Sequence, residues 1–341
     1  MTDFDLVIVG GGPVGLVAAI EARLAGFRVV VFEQRHAPID KACGEGLMPG
    51  ALPILAGLGV DPAGMPISGI TYSQSGRSVT HRFETGPGRG VRRVVLQDAL
   101  AERADALGVE RVSAKVESVG QTVDAVSVAN VSARYLLACD GLHSNVARLT
   151  GLALAAPSRR RRYGIRQHFR VAPWTDTVDI HYGRNAEVYV TPIAEATVGV
   201  AMLGPQHTDF EATLADLPEL AARLAGASPA SERRGAGPFR QRTRARTSGR
   251  VMLVGDASGY VDAITGEGLR VGFAQAGAAV AAALAGDPAR YEREWTRVTR
   301  DFRITTSALV GFATSPLRSA IVPASRLLPG RFGAVVESLA R

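Results

Sequence analysis

Residues 5–33 read DLVIVGGGPVGLVAAIEARLAGFRVVVFE. LVIVG, 6–10, is a short apolar run rich in β-branched residues that ends on glycine, the pattern of a buried strand. Gly10, Gly12 and Gly15 then stand in the spacing G-x-G-x-x-G, with Pro13 and Val14 between the last two. In that spacing the first glycine turns the chain out of the strand and the second lets backbone approach a pyrophosphate. The third lets the helix pack close on the sheet. The helix begins with free N–H groups and a positive dipole end aimed at the phosphates. VVVFE, 29–33, reads as the next strand, and Glu33 tips it 18 residues beyond Gly15. A carboxylate there accepts both ribose hydroxyls and repels a 2′-phosphate, so the expected ligand is FAD or NAD rather than NADP. A glycine-rich hairpin turn would explain neither the helix nor Glu33.

The 341 residues suffice for two domains or for one large α/β body with an inserted sheet, and a hydrophobic share of 46% allows a full core. The formal net charge is +7. Among the basic residues only Lys41 and Lys115 are lysine. No aromatic-basic RNA pattern and no helix-turn-helix accompanies that charge, so a nucleic-acid partner is not expected. An anionic substrate or a membrane surface suits it better. Two cysteines, Cys43 and Cys139, are too few for a disulfide framework or a zinc site, and no metal is expected. The N-terminal apolar run is broken by glycines and belongs to the nucleotide fold rather than to a signal peptide. No uncharged apolar span of about 18 residues appears. A cytoplasmic, reduced setting is expected, with peripheral membrane contact left open.

Along the chain, residues 40–60 read as a glycine-rich loop, Cys43-Gly44-Glu45-Gly46, and then a helix carrying Leu52, Leu55 and Leu58. Residues 67–85 read as two strands joined near Gly76, and 91–109 as a helix with Val95, Leu96, Leu100, Ala104 and Leu107 on its apolar face. Strands are expected around 111–118, 123–128 and 131–138. A basic run occupies 158–162. The segments 163–171, 177–183, 186–193 and 196–203 alternate like strands of one antiparallel sheet. An amphipathic helix is expected over 208–226 and a charged one over 288–304. Strand, glycine loop and helix return at 250–286. The expected domains are a discontinuous dinucleotide-binding unit (1–66, 91–160 and 240–300), an antiparallel-sheet substrate unit (67–90 and 161–239) and a tail, 301–341.

Two further glycine-punctuated sites follow strands. Asp140-Gly141 ends one, with Ser144 and Arg148 beyond it. Gly255-Asp256 ends the apolar run VMLV, with Gly266-Glu267-Gly268 opening the helix that follows. Asp256 there sets a carboxylate beside polyol hydroxyls. The N-terminus after Gly268 can stabilise negative charge on a bound ring.

These three motifs, in this order, resemble the FAD-dependent monooxygenase and geranylgeranyl-reductase-like superfamily with the para-hydroxybenzoate-hydroxylase fold. The resemblance covers residues 1 to about 300. It implies an α/β architecture: a Rossmann-like FAD-binding domain with an inserted antiparallel sheet, here followed by a helical tail. It also implies site residues. Gly10, Gly12 and Gly15 hold the pyrophosphate. Glu33 holds the adenosine ribose, with Gln34 and Arg35 close by. Arg93 and Gln97 point toward FAD, and Asp140-Gly141 supports it. Asp256 meets the ribityl chain. Gly266 and Gly268 flank the isoalloxazine, with Glu267 between them and Cys43-Gly44 on the upstream loop. NAD(P)H is implied as a transient reductant, since no second G-x-G-x-x-G is visible.

The departures narrow the branch. Aromatic hydroxylases usually carry Gly-Asp-Ala-Ala-His and a proline pair before the glycine loop. Ser258, Gly259, Asp262 and Ala263 stand there instead. Thr265-Gly266-Glu267-Gly268 and Cys43-Gly44-Glu45-Gly46 look more like the reductase branch, yet that branch's Trp-x-Phe-Pro motif is missing; Val188-Tyr189-Val190-Thr191-Pro192 is nearest. The halogenase motif Trp-x-Trp-x-Ile-Pro is absent too. The stretches KACGEGLMPGAL, RRRYGIRQHFRVAPW and EVYVTPIA are similar to small actinobacterial flavoprotein oxygenases associated with type III polyketide synthases. That likeness implies hydroxylation of an aromatic, phenolic-lipid or quinone-like substrate, with double-bond reduction as the alternative.

Catalytic candidates are Cys43, His168, Tyr189 and Tyr260. For each a plain packing reading stands beside the chemical one. Cys43 faces the flavin or simply fits a tight loop. His168 and His181 serve acid–base chemistry or sit half-exposed on strands. Tyr189 and Tyr260 bond a phenol or pack with a satisfied hydroxyl. In the tail Phe312, Leu317, Ile321, Leu327, Leu328 and Phe332 alternate with Arg318, Arg326 and Arg331, broken by prolines 316, 323 and 329. Such segments lie on an anionic bilayer or fold back as a lid.

Overall fold

The structure is a computed structural model that describes residues 2–155 and 161–340. Most of the basic run at 158–162 lies outside the described residues. The quoted stretch folds as β1 (Phe4–Val9), α1 (Pro13–Leu24) and β2 (Val29–Glu33). α2 (Ala51–Gly57) follows, then the hairpin β3 (Gly69–Gln74) and β4 (Arg77–Arg82). α3 (Arg93–Ala106), β5 (Glu110–Ser113), β6 (Val131–Ala138) and α4 (Asn145–Leu149) come next. β7 (Arg162–Arg170), β8 (Thr177–Tyr182), β9 (Glu187–Ala194) and β10 (Thr197–Pro205) run consecutively without a helix between them. α5 (Phe210–Ala215), α6 (Pro218–Leu224), β11 (Val251–Leu253), α7 (Gly268–Leu284), α8 (Arg290–Ala313), α9 (Ile321–Leu327) and α10 (Pro329–Ala340) complete the chain.

The first sheet has the parallel order β11-β6-β1-β2-β5, in register at Ile8↔Leu137 and Ile8↔Val31. Its strands read as near-continuous apolar runs because both faces are covered. The first turns of α1 are apolar for the same reason. Leu16, Val17, Ala18, Ala19 and Ile20 are buried between the sheet and its neighbours, which include Phe273 and Ala276 of α7. Each large side chain buried this fully contributes about 1.5–3 kcal/mol.

The second sheet has the order β7-β10-β9-β8-β3-β4. It departs from the expected pure antiparallel pattern at one junction, where β8 pairs β3 in parallel, Ile180 beside Tyr72. The hairpin β3–β4 leaves the chain before α3 and returns to this sheet across a long crossover, which permits parallel pairing. One face of the sheet is closed by Phe210, Leu214, Leu220 and Leu224 of α5 and α6, the other by the tail through Val322, Phe332 and Val336.

Three local expectations change. The single helix over 208–226 is two, because Pro218 at the first position of α6 forces Leu217 out of helical geometry (φ −123°, ψ 74°). The strand expected over 111–118 stops at Ser113, and Val119–Gln121 pairs separately with Val126–Val128. The charged helix over 288–304 runs on to Ala313. Among the described residues no helix is long and apolar enough to cross a membrane.

Candidate active site

The three glycine motifs meet at the C-terminal edge of the first sheet. Gly10 has φ +105°, and a Cβ there would lie 2.4 Å from the Cys139 carbonyl oxygen. A Cβ on Gly15 would lie 1.9 Å from the Gly10 oxygen, so only glycine lets α1 start here. Val14 joins the first motif to the third. A Cβ on Gly255 would stand 3.1 Å from its Cγ1, and one on Gly272 would stand 2.6 Å from its Cγ2. Gly255 donates to the Gln275 side chain at 2.8 Å, Ser258 Oγ donates to the same oxygen at 2.9 Å, and Trp295 Nε1 donates to Ser258 Oγ. Gln275, Ser258 and Trp295 therefore fix the third turn, and the sequence reading did not single out these bonds.

Glu33 accepts from the Gly11 N–H through Oε2 and from the Arg35 N–H through Oε1, both at 2.9 Å. Gln34 and Arg35 are exposed beside it. Gln97 is buried and donates Nε2 to the Gly11 oxygen at 2.6 Å. The Arg93 guanidinium stands 3.7 Å from where a Gly12 Cβ would be, and Lys41 Nζ stands 3.7 Å from where a Gly141 Cβ would be. Asp140 Oδ2 accepts from the Val146 N–H at the start of α4. Burial pushes the Asp256 carboxyl above its ordinary range, opposed by the charges of Lys41 and Arg93. Burial likewise lowers Lys41, with Arg35 and Arg93 adding repulsion.

Among the described residues Arg93 Nε, Gln97 Oε1, Asp140 Oδ1 and Glu267 Oε2 are buried without a hydrogen-bond partner. A lost buried hydrogen bond costs about 1–3 kcal/mol. Four such atoms on the dinucleotide motifs fit a polar ligand threaded through them, and the donors, acceptors and positive charge match a pyrophosphate with ribityl and ribose hydroxyls.

The loop from Asp40 to Gly46 is pinned to the second sheet. Glu45 sits in left-handed backbone at φ +62° and is 3% exposed. Its Oε2 meets His168 Nε2 at 2.6 Å, and its Oε1 accepts from the Arg93 N–H at 2.9 Å. Arg166, 1% exposed, pairs with Asp40 and donates to the Lys41 oxygen. Thr191 Oγ1 donates to the Gly44 oxygen at 2.9 Å. His168 is thus a fully buried partner of Glu45, not a half-exposed strand residue. Cys43 Sγ accepts from the Glu45 N–H, and burial raises its thiol, so it rests protonated.

Beyond the third turn lies an apolar, aromatic cluster that includes Met48, Tyr189, Phe239, Tyr260 and Ile264. Tyr189 donates its hydroxyl to the Ile264 oxygen at 3.1 Å, and the Tyr260 ring meets Phe239 edge-on at 5.7 Å. A Cβ on Gly266 would lie 3.6 Å from Met48 Cε, and one on Gly268 3.7 Å from the Tyr260 ring. Glu267 pairs with Arg270 at 2.5 Å, and burial pushes its carboxyl up to about 7. A buried charge cluster borders this region. Arg162 pairs with Glu187 and lies 3.5 Å from Asp262, while Arg318 of the tail reaches Glu187 at 3.1 Å.

Comparison with known proteins bears on this site. The chain is 33% identical to rifampicin monooxygenase of Streptomyces venezuelae over 46% of its own length and 36% of that protein. It is 28% identical to 3-(3-hydroxy-phenyl)propionate/3-hydroxycinnamic acid hydroxylase of Mycolicibacterium gilvum over 98% and 66%. It is also 28% identical to menaquinone reductase of Mycolicibacterium smegmatis over 88% and 81%. The chain thus spans two thirds or less of the two oxygenases. The flavoprotein/dehydrogenase structure from Cytophaga hutchinsonii superposes with a TM-score of 0.87 at 18% identity, covering 98% of this chain and 92% of that one, a likeness of fold. Residues 3–287 match the FAD binding domain family, and the chain belongs to it, within the para-hydroxybenzoate-hydroxylase-type superfamily.

Proposed function

We propose that this protein is an FAD-dependent monooxygenase that hydroxylates an aromatic, phenolic-lipid or quinone-like substrate with NAD(P)H and O2. The apolar, aromatic cluster against the Thr265–Gly268 turn carries the reading, because it suits a lipophilic ring held beside a flavin. Gly10, Gly12, Pro13, Val14 and Gly15 take the pyrophosphate, and Glu33, Gln34 and Arg35 the adenosine ribose. Lys41, Arg93, Gln97, Asp140, Gly141, Gly255 and Asp256 take the middle of the cofactor. Cys43, Gly44, Gly266, Glu267 and Gly268 border its ring. Bound FAD supplies electron transfer from the nicotinamide and activation of oxygen.

The chain's own part is binding, orientation and exclusion of water. Burial raises the phenols of Tyr189 and Tyr260 well above their ordinary range, so both stay protonated at neutral pH. The Tyr189 hydroxyl is engaged by Ile264, which leaves Tyr260 as the phenol available to a substrate oxygen. The cofactor-binding unit is taken as 1–66, 91–160 and 240–300, the substrate unit as 67–90 and 161–239, and the tail as its lid. Phe312, Leu317, Leu327 and Leu328 stay exposed at 53%, 59%, 80% and 48%, which supports peripheral contact of that lid with an anionic bilayer.

The test is a donor-oxidation screen against phenolic lipids and quinones under labelled O2. One labelled oxygen atom in the product supports the reading; donor oxidation that yields only peroxide with every substrate refutes it. A second reading, reduction of an isoprenoid double bond, is favoured by the likeness to menaquinone reductase over 81% of that protein. Product formed from reduced flavin without oxygen would select it.

A further inference from the structure

His81 on β4, Glu84 just beyond it and Glu337 on α10 each bring a ligand atom within 4.8 Å of the others. They stand at the seam where the tail meets the sheet, and Glu337 comes from far along the chain, 253 residues from Glu84. Glu337 is 6% exposed, and its Oε1 takes both His81 Nε2 at 2.8 Å and the Glu84 N–H at 3.0 Å. Among the described residues His81 is the only basic side chain paired with this buried carboxylate. A Cβ on Gly333 would lie 2.8 Å from both Cε1 and Nδ1 of His81. The ring's Nδ1 edge therefore rests on helix backbone, and Nε2 faces the carboxylates. A cavity of about 440 Å³, lined by His81, Glu84, Gly330, Gly333 and Glu337, opens on the same three groups.

We propose that this seam is a divalent-metal site of the zinc class, with His81 Nε2 and the carboxylates of Glu84 and Glu337 as ligands and water completing the shell. One imidazole and two carboxylates form a borderline N/O donor set that suits zinc better than calcium or magnesium. Bonds of about 2.0–2.2 Å require ligand atoms about 3.4 Å apart. The exposed Glu84 side chain is the member free to close that gap. The metal takes the place of the His81–Glu337 contact and ties α10 to β4, so it fastens the tail without touching the dinucleotide motifs.

The experiment is calorimetric titration of the FAD-loaded 341-residue chain with Zn2+, alongside Glu84→Gln and His81→Ala. Glu84 is exposed and, among the described residues, its side chain has no hydrogen bond or ion pair, so its variant keeps the test clean if His81→Ala loosens the tail. We expect one Zn2+ per chain, thermal stabilisation that grows with Zn2+ concentration, and affinity at least tenfold weaker in Glu84→Gln with unchanged flavin content. No saturable binding by the wild-type chain, or equal binding by Glu84→Gln, would overturn the site. Both results are independent of whether the enzyme hydroxylates or reduces.

Discussion

Replacing Glu45 with alanine probes how the second sheet reaches the cofactor loop. The substitution removes a carboxylate that is 3% exposed and strands two partners, His168 Nε2 and the Arg93 N–H. Leaving a buried hydrogen-bonding group without its partner costs about 1–3 kcal/mol, and two groups are stranded here. His168→Ala strands the same carboxylate from the other side. The double variant should therefore lose less than the sum of the singles, by about 2 kcal/mol. Urea unfolding at saturating FAD, followed through Trp174 and Trp295, gives each free energy, with the slope on denaturant unchanged. FAD affinity should fall with Glu45→Ala as well, since Cys43 and Gly44 hang on the same loop. If Glu45→Ala stays within about 1 kcal/mol of wild type, or the cycle is additive within about 0.5 kcal/mol, Glu45 does not pin the loop to the second sheet.

Three other perturbations follow from the same geometry. Glu21 lies beside Gly277 between α1 and α7, and burial pushes its carboxyl from the ordinary 4.5 up to about 7. The folded state then holds a proton that the unfolded chain has released, so stability falls as pH rises from about 4.5 to about 7. Glu21→Gln should remove up to about 3 kcal/mol of that fall, seen as a flatter dependence of the urea midpoint on pH. Gly15→Ala places a Cβ 1.9 Å from the Gly10 oxygen, and the purified variant should carry little flavin; normal flavin content would contradict the reading of the turn. Glu187→Ala leaves Arg162 and Arg318 facing each other without their shared anion and should cost about 3–5 kcal/mol, with faster proteolysis of the tail as the visible sign.

What the sequence made legible was local. Gly10, Gly12, Gly15 and Glu33 lie within one contiguous stretch, and each role rests on neighbours a few residues away. The alternation of β7 to β10 is equally short-range. The bonds that assemble the site are not. Glu45 and His168 are 123 residues apart, and no periodicity encodes one as the partner of the other. Val14 reads as an ordinary helix residue until Gly255 and Gly272 are seen to make room for it. Lys41 opens a quoted stretch but had no role assigned to it, yet it stands among Arg35, Arg93 and Asp256. The helix break at Leu217 was legible in Pro218; the amphipathic pattern on both sides outweighed it.

The most direct measurement is the flavin content of the pure chain, wild type and Asp256→Ala, after soaking in excess FAD and removal of unbound ligand. One FAD per wild-type chain, and clearly less in the variant, is the expected result. A colourless wild-type protein, or a variant as yellow as wild type, would contradict the convergence of the three glycine turns on one cofactor.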